Sequence, residues 1–158
     1  MPMFVEPVGE IRSTYASLEG MPIQAAHSEG SGSVEIYPRY VDGLRDLDGF
    51  DHLILLYQFH LASREPLRVR PFLDDVERGV FATRAPTRPN RIGLSVVRLL
   101  GIVGNRLDIA NVDMVSGTPV LDIKPYVPAF DSPVPGRIGW MQGRLDKAAA
   151  MRADDRMR

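Results

Sequence analysis

Four stretches of the 158-residue chain carry residue types suited to chemistry and little structural reason to be there. GMPIQA, Gly20 to Ala25, stiffens a loop at Pro22 beside Ile23 and the amide of Gln24. LLYQFHL ends an apolar run on His60 and Leu61. GVFATRAPTRPNRIGLS, Gly79 to Ser95, holds Arg84, Arg88, Asn90 and Arg91 ahead of Leu94. NVDMVSGTPVLDIKPYVP, Asn111 to Pro128, sets Val115, Ser116, Gly117 and Thr118 before Lys124. In the third stretch Pro86 and Pro89 fix φ and bias the residues before them towards extended backbone. A rigid loop of this kind aims its arginines. A guanidinium makes planar, forked contacts to a carboxylate or phosphate that lysine cannot copy. In the fourth, Gly117 permits close backbone approach to a ligand and Thr118 adds a hydroxyl.

Charge is informative by its distribution. The net charge of −1 excludes a surface coated in positive potential. Between Gly79 and Arg98, however, there are four arginines and no acid, a local cationic stretch able to hold an anion. The absence of cysteine excludes disulfides and thiolate chemistry. No G-x-G-x-x-G, P-loop, H-E-x-x-H or G-x-S-x-G pattern occurs, which argues against the commonest nucleotide, zinc and hydrolase sites. His27, His52 and His60 are far apart in sequence, and no metal is expected. No apolar run reaches the ~18 residues of a membrane span. The opening MPMFVEPVGEIRS lacks a secretory layout, so a cytoplasmic protein is expected.

The elements that must position these residues read as short strands with Gly and Pro punctuation. An apolar fraction of 44% against 25% charged residues is that of a folded soluble domain. Strands are expected over Phe4 to Arg12, Ser33 to Tyr37, His52 to Phe59, Ser95 to Val103, Arg106 to Val112 and Val120 to Ile123. HLILLYQF is nearly continuous in apolar residues, which predicts burial on both faces. Gly104-Asn105 is a pair able to take positive φ in a tight hairpin. A short helix fits Pro38 to Leu47, and the Ala-rich tail 141–158 is expected to be helical and frayed. The fold class is therefore mainly β, a single closed or nearly closed β-barrel with short helices and a C-terminal helical tail. Tyr57, Phe81 and Tyr126 are aromatic candidates for stacking on an unpaired base.

Together the four stretches resemble the TsaA-like family, also called TrmO, the transfer RNA N6-threonylcarbamoyladenosine methyltransferases. The resemblance runs from Phe4 to Trp140, which gives a methyltransferase domain over 4–140. It implies a β-barrel, a homodimer, and S-adenosylmethionine as cofactor, a ligand that needs an apolar bed, polar edges and an anchor for its amino-acid end. It places that cofactor against Pro22, Ile23, Gln24, His60, Leu61, Arg84, Leu94, Val115, Ser116, Gly117 and Thr118. It leaves Arg88, Asn90, Arg91 and Lys124 for a transfer RNA substrate, and no membrane. Two positions depart from the family pattern. Ser116 stands where an Asp is usual, replacing a charged acceptor with a neutral one. Arg91 stands where RPNPIG is usual, adding a charge and loosening the loop. The family's longer bacterial members carry a further C-terminal domain, so a short form is expected. The residues by themselves leave open a different methyl acceptor, such as another RNA or a small molecule, or a cofactor-binding module without catalysis.

Overall fold

A computed structural model describes residues 1–17 and 30–147. Its frame is a closed antiparallel barrel of six strands in the order β1-β2-β7-β6-β3-β8. The members are β1 (Gly9–Ser13), β2 (Ser31–Ile36), β3 (His52–Gln58), β6 (Ile92–Val103), β7 (Arg106–Ala110) and β8 (Pro119–Pro125). A separate two-stranded hairpin joins β4 (Arg68–Val69) to β5 (Arg78–Gly79). A four-residue helix, α1 (Pro128–Asp131), follows the last barrel strand.

Alternation builds the core. Ile11, Val34, Leu53, Leu55, Val97, Leu107, Ile109 and Val120 point inward and are fully buried. Each such side chain contributes about 1.5–3 kcal/mol on leaving water. The two mouths of the barrel differ. The far mouth, where β2 ends and β3 begins, is covered by 3-10 turns at Pro38–Leu44 and Leu47–Gly49. Tyr40, Val41, Leu44 and Leu47 of that segment pack against the core. The near mouth, where β3 ends and β8 begins, is where the chain leaves a cleft.

Several expectations are corrected by the geometry. The first strand begins at Gly9, which pairs with Ile36, the last residue of β2. Phe4 lies before any partner strand and is exposed. In β3 burial alternates instead of covering both faces, because a barrel has one inside. Its apolar outer residues, Ile54 and Leu56, lie on the barrel's exterior. The β6–β7 hairpin forms as expected, but only Gly104 takes positive φ, at 62°. Asn105 instead donates its side-chain amide to the Ile36 carbonyl at 2.9 Å. The expected helix at Pro38–Leu47 is two 3-10 pieces broken by Asp46, whose φ is 67°. The described part of the tail holds only 3-10 turns at Gly139–Met141 and Leu145–Lys147, interrupted by Gly143 at φ 76°. The remainder, 148–158, lies outside the described residues.

Candidate functional site at the near mouth

Three segments meet around the cleft. The exit of β3 supplies Tyr57, Phe59, His60, Leu61 and Ala62, the proline-rich loop supplies Pro86, and the 111–118 turn supplies Asp113, Met114, Val115 and Thr118. Together they enclose about 320 Å³, counting the open mouth. The lining is mostly apolar with a few polar groups, the usual make-up of a small-molecule site.

The sheet aims Tyr57 into this space. Between Leu56 and Tyr57 the register with β8 shifts, so Leu121 is an extra residue there. Such a bulge bends its strand and redirects the neighbouring side chain. Opposite Tyr57 on β6 stands Gly93. A Cβ at Gly93 would lie 2.4 Å from the Tyr57 ring and 2.8 Å from that of Phe59. Only glycine leaves room for both rings, which meet edge to face at 5.3 Å.

A buried polar chain runs from that ring. The Tyr57 hydroxyl lies 2.9 Å from Ser95 Oγ, and Ser95 Oγ donates to Asp113 Oδ1 at 2.7 Å. Ser95 has one hydrogen and gives it to the carboxylate, so Tyr57 must be the donor to Ser95. Burial drives the Tyr57 phenol far above its ordinary value, and the Asp113 charge adds to this. The Ser95 hydrogen bond and the positive charge of Arg84 pull the other way without reversing it.

The 111–118 turn is fastened mainly by backbone. Ser116 N–H donates to the Tyr15 carbonyl at 2.8 Å, and Gly117 N–H to the Ile11 carbonyl at 2.8 Å. Gly117 has φ 94°, a conformation closed to ordinary side chains. A Cβ on it would sit 3.9 Å from His60 Nε2 and 3.9 Å from Glu10 Oε1. The Ser116 hydroxyl accepts from Ser13 N–H at 3.3 Å, and the Thr118 hydroxyl donates to the Val115 carbonyl at 2.7 Å.

The structure thus brings His60, Leu61, Val115 and Thr118 to one cleft, with Ser116 and Gly117 in the same turn. Pro22, Ile23 and Gln24 lie outside the described residues. Arg84 is exposed on the loop, with its charge felt at Tyr57. Leu94 is 48% exposed on the outer face of β6, away from the cleft. Arg88 and Arg91 make contacts within the protein. Arg88 Nη1 donates to the carbonyls of Thr83 at 2.9 Å and Ala85 at 3.3 Å, bracing the loop from inside. Arg91 faces Glu65 at 3.5 Å, and its Nε is buried with no hydrogen-bond partner among the described residues. Its φ of 50° also excludes proline, whose ring holds φ near −65°. The backbone here therefore differs from any RPNPIG form. Asn90, at φ 62°, is exposed beside it. Lys124 pairs with Asp122 at 2.9 Å and stands opposite Ile54, towards the far mouth. Tyr126 meets His52 at that same end, and Phe81 is exposed on the proline-rich side.

Sequence reasoning missed Asp113 and Ser95. The available signal was an acid between apolar Val112 and Met114, where a carboxylate must be buried and hence partnered.

Residues 10–132 match the family described as the tRNA-methyltransferase O N-terminal domain. An S-adenosyl-L-methionine-binding protein of Archaeoglobus fulgidus is 41% identical, over 82% of this chain and 93% of its own length. The human tRNA (adenine(37)-N6)-methyltransferase is 34% identical over 83% of this chain, which spans only 32% of that enzyme. A crystal structure of TrmO from Pseudomonas aeruginosa superimposes with a TM-score of 0.75 at 40% identity, covering 89% of this chain and 63% of that one. With most of its length matched by the family's N-terminal domain and its barrel shared with a solved member, the chain belongs to the tRNA-methyltransferase O family.

Proposed function

We propose that this protein methylates N6 of threonylcarbamoyladenosine in a transfer RNA anticodon loop, with S-adenosylmethionine as methyl donor. The observation that carries the reading is the near-mouth cleft, where four residues expected at the cofactor, His60, Leu61, Val115 and Thr118, converge. The residues present fit that cofactor. Phe59, Leu61 and Val115 give an apolar bed for adenine, the turn at Gly117 allows close backbone approach, and exposed Arg84 suits a carboxylate at the rim. When bound, the cofactor supplies an electrophilic methyl on sulfur. The chain's part is to hold the acceptor nitrogen in line with that carbon and to keep water away. Residues 4–140 form the methyltransferase domain in this reading, and a transfer RNA substrate puts the protein in the cytoplasm.

A homodimer belongs to the same reading. Outward residues of adjoining strands β3 and β6 form an apolar stripe of Ile54, Leu56, Ile92, Leu94 and Val96, with Leu56 beside Leu94 in register. A contiguous apolar stripe on a barrel's exterior is the surface a second copy would cover. It would also bring Leu94 to a cofactor that its own subunit keeps it from reaching.

The test is incubation of purified protein with S-adenosylmethionine and transfer RNA, with and without the threonylcarbamoyl group, followed by mass analysis of nucleosides. A 14-dalton gain confined to the modified adenosine is expected. Tight cofactor binding without methylation of either RNA would shift the reading to another acceptor. No cofactor binding by folded protein would remove it.

A further inference from the structure

We propose that Asp113 is the proton acceptor of the methyl transfer, a catalytic residue oriented by Ser95 and Tyr57. The proposal rests on the methyltransferase reading above. The acceptor N6 bears one hydrogen, and its lone pair is drawn into the purine ring and the adjoining carbonyl. As the nitrogen bonds to the methyl carbon, the carbon–sulfur electron pair stays on sulfur. The N6 proton must then leave, and here it passes to the Asp113 carboxylate. Charge balances: a cationic donor and an anionic carboxylate become a neutral thioether and a neutral carboxylic acid. The acid returns its proton to water after product release.

Three observations support Asp113. It is a carboxylate facing a mostly apolar cleft while itself only 9% exposed, where it needs partners to persist. The Tyr57-to-Ser95-to-Asp113 chain has one direction, because Tyr57 remains protonated and Ser95 has a single hydrogen to give. Oδ1 is therefore held by a fixed donor, which sets the plane of the whole carboxylate. Lastly, both ends of the chain line the same cleft, and Gly93 makes room for its first member. Among the described residues, the other ionisable groups about it are Tyr57 on β3, His60 at the exit of that strand and Arg84 on the proline-rich loop.

Asp113→Asn keeps the shape and an oxygen acceptor for Ser95 while removing basicity. Single-turnover methylation of modified transfer RNA should fall at least 100-fold, with cofactor Kd and Tm close to wild type. Asp113→Ala should recover part of its rate in added formate, which a purely structural carboxylate would not. An independent readout on the free protein is the ¹³C resonance of the Asp113 carboxyl, expected to be ionised at pH 7. A rate within threefold of wild type for Asp113→Asn, or a protonated carboxyl at pH 7, overturns the proposal. Loss of fold or cofactor binding in both variants assigns Asp113 a structural role and overturns it equally. Absence of methylation by the wild type, with the cofactor bound, overturns the underlying reading, and the proposal with it.

Discussion

The two loops that flank the cleft are held by different balances of main-chain and side-chain bonds. The 111–118 turn is seated on β1 mainly through main-chain hydrogen bonds, from Ser116 N–H to Tyr15 and from Gly117 N–H to Ile11, each 2.8 Å. The proline-rich loop is held mainly by side chains. Arg88 grips Thr83 and Ala85, the Thr83 hydroxyl donates to Val80 at 2.8 Å, and Trp140 Nε1 donates to the Ala82 carbonyl at 2.8 Å. Backbone bonds do not depend on residue type, whereas each side-chain brace is lost with one substitution. The first loop can therefore carry Ser116 in place of an acid and keep its shape. The second cannot exchange its internal arginine without slackening.

Arg88→Ala should have the largest effect. Losing a charged donor to two carbonyls costs about 2–3 kcal/mol, or roughly 4–12 °C in Tm for a chain of this size. Calorimetry showing less than a degree of change would mean that the prolines and the Thr83 and Trp140 braces hold the loop without it. In the backbone-held turn the sensitive change is one that alters the backbone. Gly117→Ala forces a side chain to φ 94° and should cost about 1–2 kcal/mol, with a matching loss of cofactor affinity. Unchanged melting and binding would show that the turn relaxes freely. Arg84→Ala removes an exposed guanidinium at the rim of the cleft, so cofactor Kd should rise about tenfold, or 1.4 kcal/mol. A titration giving equal Kd would take Arg84 out of the cofactor site. The smallest effect is expected for Ser116→Asp, which should tighten the cofactor by at most about 1 kcal/mol through a charge-assisted bond. Equal or weaker binding would mean that the turn has adapted to serine.

The barrel class was legible because alternation and turn punctuation are local properties. Gly104-Asn105 announced its hairpin, and RLDIANV announced the inward face of β7. The misread strands share a physical cause. HLILLYQF looked doubly buried because its outer residues are apolar, and sequence cannot tell a core from an uncovered exterior. Phe4 to Val8 has strand-like composition, but pairing depends on where β2 ends. Among Arg84, Arg88 and Arg91 the residue type is identical. Only the fold shows that Arg88 turns inward to its own loop and Arg91 to Glu65 while Arg84 faces solvent. Asp113 and Ser95 lie 18 positions apart, Ser95 on β6 and Asp113 three residues beyond β7, and it is the register of that hairpin, not residue type, that brings them together.

The barrel closes by its shortest seam. β1 and β8 share two register pairs, Gly9 with Val120 and Glu10 with Pro119, against seven between β3 and β6. Pro119 has no amide hydrogen to give, so this junction should exchange its protons with deuterated water before the rest of the sheet. The same junction continues directly into the turn whose Gly117 amide bonds Ile11. A ligand resting on that turn would clasp the seam and slow exchange along β1 and β8, which links filling of the cleft to closure of the barrel.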